Sequence, residues 1–303
     1  MVTDLVAIAS ARPDLEILLA VGSNPSRQRN LAVAQARGEI LVFLDSDCRV
    51  DEAHFTRIAA HLAAGRDFVG GPVLLEAPAE PNEILFQSFF AHPAVTGPSS
   101  ARYRVHGELR PCDDAGLILC NLAVRREIFR VSGGFDERLY PNEENEWMAR
   151  LQAGGQVLWH DPALTVRRPQ RKSWGEFSRT LIGYGRGRTR QSRVSRQGNL
   201  PRQIPAMGLV LFLLALLVRP WLTLKIGLLG WLSYAAVLRM APRSYPPLSI
   251  LGMLLAPTLP LFYAVGQIQG FFDGTKKRPS GEVRVFRWEG DDFLALDDMT
   301  SIS

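Results

Sequence analysis

The stretch PSRQRNLAVAQARGEILVFLDSDCRV, residues 25–50, decides the fold. Asn24 followed by Pro25 is a helix start: asparagine caps free amide groups, and proline in the first turn gives up no donor that the helix needs. Residues 26–37 read as that helix, with Gly38 as its stop. The run ILVFL at 40–44 then reads as a buried strand that ends directly on Asp45, Ser46 and Asp47. In open α/β sheets, ligands bind beyond that end of a strand.

Working outward, residues 15–21 (LEILLAV) form a second buried run, 51–64 a helix stopped by Gly65, and 67–69 the start of another strand. Strands separated by helices of this length predict βαβ units and a mostly parallel sheet flanked by helices, an α/β fold. Residues 78–111 read as helix and loop, and 117–124 as a strand. A helix is expected at 142–153, a strand at 156–160 and a further helix at 173–183.

The mean hydropathy near zero averages two unlike parts. Before about residue 203 charged and apolar residues mix; from 203 to 272 the chain is overwhelmingly apolar. Residues 244–272 carry no charge, and a bilayer crossing needs about 20 residues. Residues 203–239 are interrupted by Arg219, Pro220 and Lys225, so short spans, a re-entrant hairpin and interfacial helices all fit them. The expected organisation is therefore an α/β domain over 1–200, a membrane region over 201–272, and a polar tail over 273–303 that is acidic and solvated after Glu289.

The net charge of +5 is concentrated: ten arginines and Lys172 lie between 167 and 202, against Glu176 alone. Nucleic acid could meet such a run. Its place directly before an apolar stretch instead fits anionic lipids of the inner leaflet, which puts the α/β domain on the cytoplasmic side of the inner membrane and assigns no nucleic-acid partner. Cys48, Cys112 and Cys120 form no CxxC pair and read as reduced cytosolic thiols. The opening MVTDLVAIASARPD shows no secretory leader.

Two acidic clusters carry chemistry. Asp45 and Asp47 offer hard oxygen ligands to Mg2+ or Mn2+, although acids after a strand also serve as turn or helix caps. Glu143, Glu144 and Glu146 open the helix at 142–153, where acids suit the helix dipole. Three acids in four positions exceed what capping needs, and crowded carboxylates raise one another's pKa toward that of a general base. His54, His61, His92 and His106 show no ligand spacing, and His160 reads as structural.

Residues 25–50, together with NLAVRREIFRVSGGFDERL (121–139), NEENEWMARLQAGG (142–155) and QRKSWGEFSRTLIGYGRGR (170–188), resemble the inverting glycosyltransferase family 2, with its GT-A (nucleotide-diphospho-sugar transferase) fold. The order of several separated motifs makes this specific. The last segment is similar to members that build bacterial polysaccharides and carry C-terminal membrane helices.

The resemblance implies a nucleotide-sugar donor, a lipid-linked or saccharide acceptor, and a divalent metal with the donor diphosphate at Asp45 and Asp47. It makes Glu144 the catalytic base and Glu143 its partner. Arg29 and Asn30 fall near the nucleotide, and Arg167 stands where many relatives have a histidine, with a fork suited to diphosphate oxygens. The acceptor side is expected at Glu146, Trp147, Gln170 and Trp174. The last two resemble a degenerate Q-x-x-R-W motif with Ser173 at the arginine position, which favours addition of a single sugar; Trp174 is equally readable as helix packing.

The family's opening strand and its aspartate have no counterpart, and the loop GSNPS (22–26) lacks the second expected aspartate. The nucleobase pocket is expected to be incomplete. The rival reading is a catalytically inactive, membrane-bound partner or scaffold.

Overall fold

The computed structural model describes residues 2–195, 204–242, 244–273, 282–290 and 292–296. In chain order the first elements are α1 (Val2–Ala11), β1 (Leu18–Val21), α2 (Pro25–Gln35), β2 (Ile40–Phe43), α3 (Glu52–Ala63), β3 (Phe68–Gly70) and β4 (Val73–Leu75). Then come α4 (Pro81–Ala91), α5 (Pro93–Thr96), β5 (Arg110–Cys112), β6 (Leu122–Arg125), α6 (Arg126–Val131), α7 (Glu143–Ala153), β7 (Leu158–His160) and β8 (Val166–Arg168). The chain continues through α8 (Trp174–Val194), α9 (Ile204–Val218), α10 (Pro220–Arg239), α11 (Ile250–Leu255) and α12 (Leu259–Phe272) to β9 (Arg284–Glu289) and β10 (Asp292–Leu296).

These elements sort into two compact units. One comprises Met1–Leu74, Arg104–Pro169 and Lys277–Ser303; the other comprises Leu75–Tyr103 and Gln170–Lys276. The two units interleave along the chain. The expected boundary at 200 lies outside the described residues, as do Arg196 and Arg202.

In the first unit, β2-β6-β3-β7-β5 form a five-stranded sheet. It is mixed rather than mostly parallel: β3 and β7 run parallel, whereas β6 lies antiparallel to both β2 and β3, and β5 antiparallel to β7. The strand alternation fixes its two faces. Leu41 and Phe43 point into a cluster with Phe129, Phe135 and Trp147, while Ile40 and Val42 pack on Ile58 and Leu62 of α3. Beside this sheet, His61 Nε2 lies 2.6 Å from the buried Asp161 carboxylate, which also pairs with Arg57; this histidine is structural.

β1 joins a separate sheet, β1-β9-β10, in which Leu18–Val21 pairs antiparallel with β9. The polar tail thus supplies β9, and β10 lies in the stretch expected to be solvated; residues 297–303 lie outside the described residues. Val285 and Arg287 point inward from β9, and Arg287 donates to Glu16 Oε1 (2.7 Å) and to the Gln35 carbonyl (2.7 Å). A cavity of about 710 Å3 is lined by residues of both β1 and β2, with Arg29, Asp45 and Ser46 also in its wall.

In the second unit, α8 runs to Val194 instead of stopping near Gly183. Within it, Gly185 leaves room for α12 to pack backbone to backbone. A Cβ at Gly185 would stand 2.0 Å from the Tyr263 carbonyl oxygen, and one at Gly266 the same distance from that of Ile182. Thr189 Oγ1 donates to the Gln267 carbonyl at 3.0 Å, and Arg186 and Arg190 of the basic run pair with Asp273. Pro220–Arg239 and Ile250–Phe272 are long and apolar enough to cross a membrane, while Ile204–Val218 is apolar but shorter. Of the two long segments, Ile250–Phe272 is the more buried; α10 keeps Trp221, Ile226 and Leu229 exposed.

Candidate active site

β2 ends at Phe43, and the turn that follows closes with the Cys48 amide donating to the Asp45 carbonyl at 2.9 Å. An antiparallel bridge then ties Arg49 to Arg167, with N–H···O distances of 2.7 and 3.0 Å. Along β8 the side chains alternate: Val166 points in, Arg167 points out and Arg168 points back. Arg168, not Arg167, therefore meets the motif. Its Nη1 donates to Asp45 Oδ2 and its Nη2 to Asp47 Oδ2, both at 3.0 Å. Burial works against the Arg168 charge, but Cys120, Asp47 and Asp45 outweigh it and push its pKa up. Arg167, expected at the diphosphate, takes the outward face of β8.

A second guanidinium approaches from α2, where Asn24 caps the helix by accepting from the Arg27 amide. Arg29 Nη2 reaches Asp45 Oδ1 at 3.3 Å, and its Nη1 donates to Glu143 Oε1 at 2.8 Å. Arg29 thus joins the two acidic clusters. Asn30, one residue on, is spent elsewhere. Its Oδ1 accepts from the Phe135 amide (3.0 Å) and its Nδ2 donates to the Phe135 carbonyl (2.9 Å), which ties down the loop before α7. At Gly134, with φ +68°, a Cβ would stand 2.8 Å from Asn30 Oδ1, so this anchor requires glycine.

The first turn of α7 begins at Asn142, a left-handed residue with φ 87°. Such a conformation is uncommon outside glycine and occurs where surrounding structure enforces it. Glu143 is buried, and its Oε2 has no hydrogen-bond partner. Burial first, and then the charge of Glu144, push its carboxyl up to about 8 against the pull of Arg29. Glu144 is less buried and accepts from Asn145 Nδ2 at 3.0 Å.

The folded state therefore holds a proton on Glu143 at pH values where an unfolded glutamate, near 4.5, has lost it. With more protons bound when folded, stability falls as pH rises from about 4.5 to about 8. Glu143→Gln should remove that slope, so the variant gains on the wild type between pH 5 and 8. Urea midpoints of both proteins across that range check it; a difference independent of pH would refute it.

Two residues expected on the acceptor side are buried. Glu146 is buried and paired with Arg150 (3.1 Å), which in turn donates to the Ser132 and Gly134 carbonyls. Trp147 is fully buried among Phe43, Phe68, Phe129 and Phe135, and its indole N–H donates to Ser132 Oγ at 2.8 Å. Neither side chain offers a surface to an acceptor. Gln170 and Trp174 belong to the second unit. There Gln170 Nε2 donates to Gln87 Oε1 at 3.2 Å, and Trp174 packs edge-on against Phe86, with centroids 4.9 Å apart. For Trp174 this is the packing alternative.

The sequence reading missed the thiols beside the motif. Cys48 and Cys120 are free and buried, and Arg168 Nη1 lies 3.5 Å from Cys120 Sγ. Contact with Cys120 lowers the Cys48 thiol, while Cys48 and burial push the Cys120 thiol well up. Only spatial proximity reveals the pair, because 71 residues lie between the two cysteines.

Among the described residues, no group of three or more His, Cys, Asp or Glu side chains could hold a metal ion. The Asp45/Asp47 pair nonetheless fits a hard divalent cation in donor chemistry. Asp47 Oδ1 is a buried carboxylate oxygen with no partner, and sites of this class are commonly completed by substrate phosphates and water.

A search of curated proteins returns no match. Among solved structures, the chain is similar to the mannosyltransferase PcManGT from Pyrobaculum calidifontis, solved with GDP-Man and Mn2+. The identity is 16% and the TM-score 0.45, covering 82% of this chain and 66% of that one. It is also similar to S. aureus TarS 1-349 in complex with UDP, at 14% identity and a TM-score of 0.34, covering 89% and 78%. The chain thus spans about two thirds of the length of the mannosyltransferase. The family model described as "Glycosyl transferase family 2" matches residues 7–131. That span holds α2, β2 and the Asp45-Ser46-Asp47 turn, so it is residues 7–131 that match a glycosyltransferase family 2 domain.

Proposed function

We propose that the protein is an inverting glycosyltransferase, attached to the cytoplasmic face of the inner membrane. It moves a sugar from a nucleotide-sugar donor to a lipid-linked or saccharide acceptor in envelope or exopolysaccharide synthesis. One observation carries this reading: Arg29 bonds Asp45 of the family-matched turn and Glu143 of the second acidic cluster at once. The Glu143-Glu144 turn is thereby held beside the donor motif.

In this reading the acceptor hydroxyl attacks the anomeric carbon from the side opposite the leaving diphosphate, inverting the configuration. Glu144, the less buried of the two glutamates, takes the hydroxyl proton. Glu143, buried and bonded to Arg29, holds the turn in place. Asp45 and Asp47 would hold a Mg2+ or Mn2+ ion, which supplies charge neutralisation to the departing diphosphate. Arg29 presents a planar fork suited to phosphate oxygens. The two long apolar segments, with the basic run on α8, support membrane attachment through anionic lipid.

The test is release of nucleoside diphosphate by the detergent-purified full chain, across UDP- and GDP-sugars with Mn2+ or Mg2+, with and without lipid extract. Metal-dependent release that vanishes in Asp47→Ala is the expected result. No release by the folded protein across that panel would favour a catalytically silent partner. Closure of both motif carboxylates by Arg168 is the observation on that side.

A further inference from the structure

The Asp45/Asp47 pair already carries a cation. Arg168 reaches one oxygen of each carboxylate at 3.0 Å, and Arg29 takes the other oxygen of Asp45 at 3.3 Å. The oxygen left over, Asp47 Oδ1, is buried without a partner. The fork is set by backbone: the Arg49–Arg167 bridge fixes the register of β8 against the motif turn, so the next side chain must face it. Arg168 is also only 21% exposed, so water screens its two ion pairs less than it would on an open surface. A guanidinium whose two nitrogens each bond a different carboxylate occupies the electrostatic position between them that a divalent ion would otherwise neutralise.

From this we infer that Arg168 is the resident counter-cation of the motif: a divalent metal and the Arg168 fork compete for Asp45 Oδ2 and Asp47 Oδ2. The inference rests on the reading of this pair as the metal and donor site. In the donor-free protein the competition weakens metal binding, because an entering ion must first break two charge-assisted hydrogen bonds. The fork then swings off the carboxylates.

Arg168 is thus a positioning residue that sets how readily the site loads. The sequence gives no sign of this, since Arg167 and Arg168 are adjacent and differ only in which face of β8 they take.

The experiment is a Mn2+ titration of the detergent-purified, donor-free full chain, followed by the loss of the free-ion electron paramagnetic resonance signal at fixed ionic strength. Arg168→Ala should bind Mn2+ about tenfold more tightly than wild type, and adding Asp47→Ala should abolish that binding. Arg168→Lys, whose single ammonium cannot fork across two carboxylates, should fall between wild type and Arg168→Ala. It also serves as the test should Arg168→Ala fail the circular-dichroism check for folding.

Equal or weaker Mn2+ affinity in folded Arg168→Ala or Arg168→Lys, with Mn2+ bound by wild type, would overturn the competition while leaving the metal site standing. Absence of Mn2+ binding in wild type and all folded variants would overturn the metal reading itself, and the competition with it.

Discussion

Glu144→Gln should lower sugar transfer by roughly 10²- to 10⁴-fold, the usual contribution of a positioned general base, with the thermal midpoint essentially unchanged. The acidic turn of α7 holds two adjacent glutamates that differ in environment. Glu143 is buried, bonded to Arg29 and pushed up to about 8, so at neutral pH its proton stays on. A carboxyl already carrying its proton cannot take another from an acceptor hydroxyl. Glu144 is the less buried neighbour and its carboxylate accepts from the adjacent Asn145 side chain, so replacing it disturbs little packing.

The measurement is initial rate of transfer, with the best donor from the nucleotide-sugar panel, for wild type, Glu144→Gln and Glu143→Gln at pH 7. Glu144→Gln retaining near-wild-type rate would remove Glu144 from the base role. A larger loss in Glu143→Gln, with folding intact, would transfer that role to Glu143.

What the sequence made legible was local and periodic. The strand 40–44, the helix after Asn24-Pro25 and the acidic turn of α7 all follow from capping residues and apolar runs, and the structure places them within a residue or two of expectation. What it hid depends on which face a side chain takes, or on contacts far along the chain. Arg167 and Arg168 have the same chemistry, and the Arg49 bridge alone sends the second onto the aspartates. Asn30 sits beside Arg29 on α2, yet a one-residue rotation of about 100° commits it to the loop at Phe135. Residues 284–289 read as part of a polar tail, although Val285 and Arg287 already alternate with outward neighbours. Arg287 is buried only because Glu16 and the end of α2 receive its guanidinium.

Trp147 tests that distinction between type and place. Trp147→Ala should destabilise the protein by about 3–5 kcal/mol, the usual cost of removing a large aromatic side chain from a packed core. Its ring is fully buried, with Phe129 and Phe135 centroids each at 5.0 Å and Phe68 at 5.3 Å. Truncation leaves a void bordered by four aromatic rings on the sheet face that carries β2, and it frees Ser132 Oγ from its indole donor. Trp147→Phe keeps most of the ring contact and loses the 2.8 Å hydrogen bond, so a smaller loss of about 1–2 kcal/mol is expected. Urea unfolding of the three proteins measures both changes. An acceptor contact at Trp147 predicts the reverse pattern: unchanged unfolding midpoints, with a raised KM for acceptor in the alanine variant. Because the same ring backs Phe43, two residues before Asp45, a core role also predicts that any activity lost in Trp147→Ala returns when the fold is stabilised by cooling, whereas a lost acceptor contact would not recover.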